Sequence, residues 1–157
     1  MRKLFDRELY EKYDSLAKNA VKNLFKDVSS LTGHDFDIQE NVKKRGVDLL
    51  AYAFGNHIFN IETEVKRVWK GEFEYDSVQF PERKQKFAEL DKPTLFIMFS
   101  EDLSQYLVVN NTDLLNAPKA MVRNRYVSYG ENFFQVPLDK VIFNDLRKAL
   151  INMRGTK

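Results

Sequence analysis

The sequence contains no cysteine, and only two of its 157 residues are histidines. Disulfides, thiolate metal sites and cysteine nucleophiles are therefore excluded. The histidines, His34 and His57, lack the spacing of a metal-binding pair, and we expect both to be structural. Carboxylates and hydroxyls remain for any chemistry, which indicates a site built from oxygen ligands.

Long apolar runs are also missing. The N-terminal segment MRKLFDRELYEKYD mixes charges with apolar side chains, unlike a signal peptide or a membrane span. We therefore expect an intracellular, cytoplasmic protein that has no membrane partner.

The sequence has no internal repeat, low-complexity segment or linker, and 157 residues are few for two domains. Hydrophobic residues make up 43% of the chain, which is ample for one packed core. We predict a single domain over residues 1–157, with a core over about 6–110 and a C-terminal strand-helix extension over about 111–157.

The net charge of +2 is too small to indicate a nucleic-acid-binding protein by itself. From Ala117 to the last residue, however, eight Lys or Arg stand against three acidic residues. This basic end is suited to contact with phosphate, and a solvated surface with a basic bias explains it equally well.

The spacing of apolar residues predicts the order of the elements. An apolar residue recurs every three or four positions over residues 6–31, which indicates an amphipathic helix. Two β-prone runs, 47–54 and 57–67, flank a Gly55-Asn56 turn and predict a β-hairpin. The remaining predictions are an irregular approach or edge strand at 35–45, a strand at 77–80, a helix at 81–90, a strand buried on both faces at 94–100, its hairpin partner at 105–110, a loop or single helical turn at 111–117, a last strand at 131–136 and a terminal helix at 138–153.

The candidate chemistry lies in the strand segment IETEVK. Side chains alternate between the two faces of a strand, so Glu62, Glu64 and Lys66 share one face. The predicted hairpin brings Asp48 opposite roughly position 63, within a residue or two. Burying these charges is costly unless they are paired or hold a metal ion.

An Asp and a Glu that converge from adjacent strands form an oxygen site suited to Mg²⁺ or Mn²⁺. We expect Asp48 and Glu64 to bind the cation, with the Val65 carbonyl as a further ligand and Lys66 beside the metal-bound water. Such a site polarises a phosphoryl oxygen and activates water, so phosphodiester hydrolysis is the expected reaction. The alternative for these residues is a surface ladder of salt bridges.

Asp48, fifteen intervening residues and then Glu64-Val65-Lys66 on a hairpin after a long helix resemble the PD-(D/E)xK nuclease superfamily. That superfamily includes restriction endonucleases, Holliday-junction resolvases and phage exonucleases. The resemblance spans about residues 6–100 and implies an α/β fold, a restriction-endonuclease-like mixed sheet flanked by helices in the order α-β-β-β-α-β. It also implies DNA cleavage, with Asp48 and Glu64 holding the cation and Lys66 serving the attacking water. One departure is Val47, which stands where the signature has proline.

The resemblance implies further roles. Many members place an acid from the first helix near the metal, and Asp14 lies at the edge of the apolar helix face. Glu62 is either an additional ligand or an ion-pair partner for a neighbouring cation. The DNA-contacting candidates are Arg83, Lys84 and Lys86 on the helix after the third strand, and Arg123 and Arg125 in the basic end. Small members often act as homodimers and are frequent in phages, which would place the protein in the host cytoplasm.

Three other functions remain open at this level. The same fold occurs without turnover, as a nucleic-acid-binding or inhibitory protein. The same site also serves an RNA-directed nuclease, because no base-reading motif distinguishes DNA from RNA. Finally, the long charged helix suits an interaction protein in which the hairpin has no function of its own.

Overall fold

The fold is mixed α/β and contains two β-sheets and four helices in the residues that this computed structural model describes, 7–32, 35–43, 45–122 and 130–155. The helices are α1 (Arg7–Thr32), α2 (Gln85–Ala88), α3 (Asn111–Asn116) and α4 (Leu146–Gly155). The strands are β1 (Asp37–Glu40), β2 (Leu49–Ala53), β3 (Asn56–Val65), β4 (Ser77–Pro81), β5 (Thr94–Phe99), β6 (Tyr106–Asn110), β7 (Lys119–Val122), β8 (Glu131–Pro137) and β9 (Ile142–Phe143).

The larger sheet has the order β1-β2-β3-β5-β6-β9. All neighbours pair antiparallel except β3 and β5, which run parallel. A parallel pair requires a crossover connection, and here the chain between them forms β4, a 3₁₀ turn over Glu82–Lys84 and α2. The crossover therefore carries α2 back across the sheet beside β3.

The helices α1 and α4 cover one face of this sheet. α1 buries Ala17, Val21, Phe25 and Val28, which recur at the spacing of a single helical face and confirm the helix predicted from the sequence. Phe25 packs on Phe59 of β3, with 5.8 Å between the ring centroids. This core fixes β3 firmly at the centre of the sheet.

The opposite face is covered by a three-stranded sheet, β4-β8-β7, together with α2 and α3. Phe80 of β4 contacts Phe96 of β5 with ring centroids 5.5 Å apart, and Phe134 of β8 is buried in the same cluster. β5 lies between the two cores, and all six of its residues are buried, as the apolar run predicted.

The predicted hairpin of β2 and β3 is confirmed, with a turn one residue earlier than the sequence indicated. Phe54 and Gly55 form the turn, and both have positive φ angles, 52° and 78°, as a two-residue hairpin turn requires. A bulge between Ala51 and Tyr52 then shifts the register. Leu49 consequently pairs with Ile61.

Other elements differ from the predictions. The strand at 77–80 exists as β4 but belongs to the second sheet. The edge strand that was one alternative for 35–45 is confirmed as β1, and it is β1 that forms the third antiparallel strand beside the hairpin. The helix predicted over 81–90 is only the 3₁₀ turn followed by α2. The short connection between β4 and β5 leaves room for little more than two turns.

The C-terminal part also differs. The segment predicted as one helix over 138–153 divides into a 3₁₀ turn, β9 and α4, because Ile142 and Phe143 pair with β6. Asn144 then adopts a positive φ of 54° and its side chain accepts a hydrogen bond from the Tyr106 N–H. The strand at 131–136 is confirmed as β8 but is not the last, and β7 had no sequence prediction. No helix of the described residues is long and apolar enough to cross a lipid bilayer.

Replacing Phe59 by Ala should destabilise the protein by about 3–5 kcal/mol, because it leaves a cavity between α1 and β3. Phe54→Ala is the matched control on the same hairpin, since Phe54 is 95% exposed and Phe59 only 1%. Urea unfolding followed by circular dichroism measures both. An equal decrease in the free energy of unfolding for the two variants would contradict the packing of α1 on β3.

Candidate active site

The hairpin register brings Asp48 next to Glu62. The Asp48 backbone N–H donates to Glu62 Oε1 at 3.0 Å, and the Thr63 N–H donates to Asp48 Oδ2 at 3.0 Å. The sequence placed Asp48 opposite position 63, so the prediction was correct within its stated range. The difference of one residue makes Glu62 the direct neighbour of Asp48, with Glu64 two positions further along β3.

Glu62 and Glu64 share a face of β3, as strand alternation predicted. In the parallel register they lie beside Phe96 and Met98 of β5, on the face that α2 and the second sheet cover. Glu62 is only 4% exposed, and Glu64 is partly buried. A cavity of about 10 Å³, enough for roughly one water molecule, is lined by Glu62, Thr63, Glu64, Phe80, Lys84, Phe96 and Ile97. The carboxylates therefore face a nearly dry, partly aromatic surface.

The cation that contacts these carboxylates is Lys84. Its Nζ lies 2.9 Å from Glu62 Oε2, and the two side chains are only 22% and 5% exposed. Burial by itself would lower the pKa of Lys84, but the charges of Glu62, Glu64 and Asp48 outweigh it and raise that pKa. Lys84 is thus a partly buried, charged lysine that pairs with Glu62 and is influenced by the charges of Glu64 and Asp48.

All three carboxylates have raised pKa values, and burial is the largest cause in each case. Burial raises the pKa of Asp48, opposed by the Thr63 N–H and by Lys84. Burial and the charge of Asp48 raise the pKa of Glu62 to about 7. Burial also raises the pKa of Glu64, opposed first by Lys84 and then by Lys66 and Arg83. Raised pKa values in a group of acids are typical of functional sites, where the fold holds charge that it does not fully neutralise.

Lys66, the lysine of the sequence motif, lies at the edge of this group. Its Nζ is 4.7 Å from the centroid of the Tyr75 ring. Burial lowers the pKa of Lys66, opposed by the charge of Glu64. Val65, between Glu64 and Lys66, packs its side chain into the α1 core. That Lys66 serves the attacking water and that the Val65 carbonyl binds the cation both stay predictions. The lysine in direct contact with a carboxylate is Lys84.

Asp14 of α1 faces the same end of the sheet. It forms an ion pair with Lys18 at 3.0 Å, and the charges of both residues act on the pKa of Asp48 in opposite directions. The Asp14 carboxylate is therefore near enough to raise the pKa of Asp48, but it is already paired with Lys18. The role of Asp14 as a third ligand stays a prediction.

The predicted DNA-contacting residues are not equivalent. Arg83 pairs with Glu131 of β8 at 3.0 Å and is 67% exposed. Lys86 is exposed, with its Nζ 4.9 Å from the Phe87 ring centroid. Lys84 points inward instead. Arg123 and Arg125 lie outside the residues that the structure describes.

A divalent cation fits this donor set in chemical kind, because all of the candidate ligands are carboxylate oxygens. Glu62 is engaged with Lys84 and with the Asp48 N–H, and Asp48 accepts a hydrogen bond from the Thr63 N–H. Within the described ranges, no three acidic or histidine side chains converge closely enough to hold an ion between them. Mg²⁺, however, is commonly bound by one or two carboxylates, with water and substrate phosphate as its other ligands. Asp48 with either Glu62 or Glu64 meets that requirement.

The sequence contains no local signal that separates Lys84 from its basic neighbours. An apolar residue stands four positions after Arg83, Lys84 and Lys86 alike, so helical spacing does not identify the inward lysine. The inward direction of Lys84 follows from its place at the end of the 3₁₀ turn before α2.

The pKa of Glu62 predicts a pH dependence of stability in the absence of divalent ions. The folded protein keeps this proton up to about pH 7, whereas the unfolded chain releases it near 4.5. The folded state binds more protons in that window, so the free energy of unfolding falls as the pH rises through it. Glu62→Gln should weaken this decline, as measured by urea unfolding in EDTA across the window.

Glu89→Gln is the control, because Glu89 is exposed on the loop after α2. It should retain the pH dependence of the wild type. An unchanged decline in Glu62→Gln would mean that Glu62 does not hold a proton in the folded state.

No protein-family model matches the sequence, and no curated protein matches it. A function can therefore be proposed only from the arrangement of the residues themselves.

Proposed function

We propose that the protein is a nuclease that hydrolyses DNA phosphodiester bonds with Mg²⁺ or Mn²⁺. The observation that carries this proposal is the group formed by Asp48, Glu62 and Glu64 with a lysine ammonium among them. Its oxygen ligands suit a hard cation, and such a cation would bind a substrate phosphate.

The element order also supports the proposal. A long helix, three antiparallel strands, a crossover that contains β4 and α2, and a strand parallel to β3 follow one another along the chain. In the larger sheet and its helices, with β4 set apart in the second sheet, this order resembles the α-β-β-β-α-β order of PD-(D/E)xK nucleases, although the third strand is β1 and not the predicted strand at 77–80. Asp48 lies just before β2, and Glu62 and Glu64 lie along β3.

We assign the cation to Asp48 together with Glu62 or Glu64. When bound, the cation polarises a phosphoryl oxygen and lowers the pKa of its water. The raised pKa values of the carboxylates are consistent with a site whose charge is balanced only when a cation is present. Lys66, whose pKa is lowered by burial, is suited to orient the attacking water, as the motif implies.

The surface beside the site supports a nucleic-acid substrate. The Arg67 guanidinium lies 5.8 Å from the ring centroid of Tyr13, and Lys66 lies on the ring of Tyr75. Cations combined with aromatic rings suit a phosphate backbone and unstacked bases. DNA is the substrate that the resemblance implies, and RNA is tested in the same assay.

Asp48→Asn should lower DNA cleavage by about 100-fold or more, because losing one metal ligand removes several kcal/mol of transition-state stabilisation. Cleavage is measured with Mg²⁺ and with Mn²⁺ on linear, single-stranded, nicked and branched DNA and on RNA. Asp91→Asn is the control, since Asp91 is an exposed carboxylate in the loop before β5.

The control should cut at the wild-type rate, and thermal unfolding should show that Asp48→Asn is folded. A folded wild type that cuts no substrate with either metal would contradict the nuclease proposal. If that protein still binds DNA in a salt-dependent way, a non-catalytic nucleic-acid-binding function replaces it.

Arg67→Met should weaken DNA binding in EDTA and reduce the slope of log K against log salt by roughly one, as expected for one phosphate contact. Lys92→Met is the control, because Lys92 is exposed and lies near Asn60, towards the other end of β3. Fluorescence anisotropy with labelled single-stranded DNA measures both. An unchanged salt slope in Arg67→Met would place the DNA elsewhere on the surface.

A further inference from the structure

Lys84 occupies an unusual electrostatic position. It comes from the 3₁₀ turn before α2, at the end of the crossover, and reaches the acids of β3 from outside the hairpin. Its ammonium contacts Glu62 directly at 2.9 Å, and the charges of Glu64 and Asp48 also act on it. Lys84 is therefore the one side chain of the crossover that an ion pair ties to these acids in the described residues.

The charges in this group do not balance. When Asp48, Glu62 and Glu64 are all ionised, which for Glu62 requires a pH above about 7, three negative charges face the one positive charge of Lys84 that is directly paired with them, which leaves an excess of two. Lys66 and Arg83 act on Glu64 less strongly than Lys84 does. Buried charge without a partner is unfavourable, and removing one partner of a buried ion pair is strongly destabilising. The excess equals the charge of one divalent cation.

We infer that Lys84 is the built-in counter-ion of the acidic group, which keeps the fold stable without a divalent cation and competes electrostatically with that cation for the same carboxylates. This inference rests on the proposed divalent-ion site. It gives Lys84 a role different from phosphate contact, the role that the sequence suggested. Lys84 acts here as a positioning residue, because it sets the orientation of Glu62 and the charge that an incoming cation meets.

The test replaces Lys84 by Met, which keeps the length of the side chain and removes its charge. In EDTA, Lys84→Met should lower the Tm by roughly 5 °C or more, the shift expected for breaking a buried ion pair in a chain of this size. Mn²⁺ should raise the Tm of Lys84→Met by more than it raises that of the wild type. Isothermal titration should show Mn²⁺ binding at least about tenfold tighter, because the group has lost a competing positive charge.

Two further variants separate charge from packing. Lys84→Arg keeps the charge, and its Mn²⁺ response should remain close to that of the wild type. Lys92→Met removes an exposed lysine elsewhere and should leave both the Tm and the affinity for Mn²⁺ unchanged.

A double variant keeps the test decisive if Lys84→Met does not fold. Combining Lys84→Met with Glu62→Gln removes one charge of each sign, so the excess of two negative charges is restored. The double variant should recover most of the lost Tm if charge balance is the role of Lys84. A double variant as unstable as Lys84→Met, or a single variant that binds Mn²⁺ no tighter than the wild type, overturns the inference.

The inference and the proposed function fail in different ways. Normal DNA cleavage by the wild type, without tighter Mn²⁺ binding in Lys84→Met, overturns the inference alone. If Lys84→Met binds Mn²⁺ more tightly than the wild type and the wild type cuts no DNA, the inference is supported and only the proposed nuclease function is overturned. Absence of Mn²⁺ binding in both proteins overturns both.

Discussion

Asp48, just before β2, and Glu62 and Glu64 of β3 form an acidic group, and the candidate site depends on how its negative charge is balanced. Burial raises the pKa of all three carboxylates, while Lys84 is the one cation in an ion pair with them among the described residues. Burying these carboxylates destabilises the fold, whereas apolar residues on this face would not. Such a group is typical of functional sites.

The rest of the fold serves to hold this group in place. The packing of α1 on Phe59 and Ile61 anchors β3 from one side, so that alternate residues of the strand must face the other. The parallel pairing of β3 with β5 requires a crossover, and that crossover supplies Lys84. The second sheet then places Phe80 beside Glu62 and Glu64, where a cavity of only about 10 Å³ remains. Each layer therefore contributes to the electrostatics of the site.

Much of this arrangement follows from local sequence patterns. The helical period of α1, the alternation in IETEVK and the apolar run of β5 identified those elements and placed Glu62 and Glu64 on one face. The turn at Phe54 and the bulge at Ala51 depend on backbone conformations that the sequence signals only weakly, and together they made Glu62 the neighbour of Asp48. The second sheet was not predicted, because β4 pairs with β8, about 50 residues later in the chain. Lys84 could be found only after α2 was placed against β3.

The central claim is that the acidic group beside Lys84 is a divalent-cation site. The most direct measurement is the anomalous scattering of a crystal soaked in Mn²⁺. A peak bound to Asp48 and to Glu62 or Glu64 is the result that the proposal predicts, together with a displacement of the Lys84 ammonium from Glu62. A fully soaked crystal with no peak at these carboxylates, and with Lys84 still paired to Glu62, would contradict it.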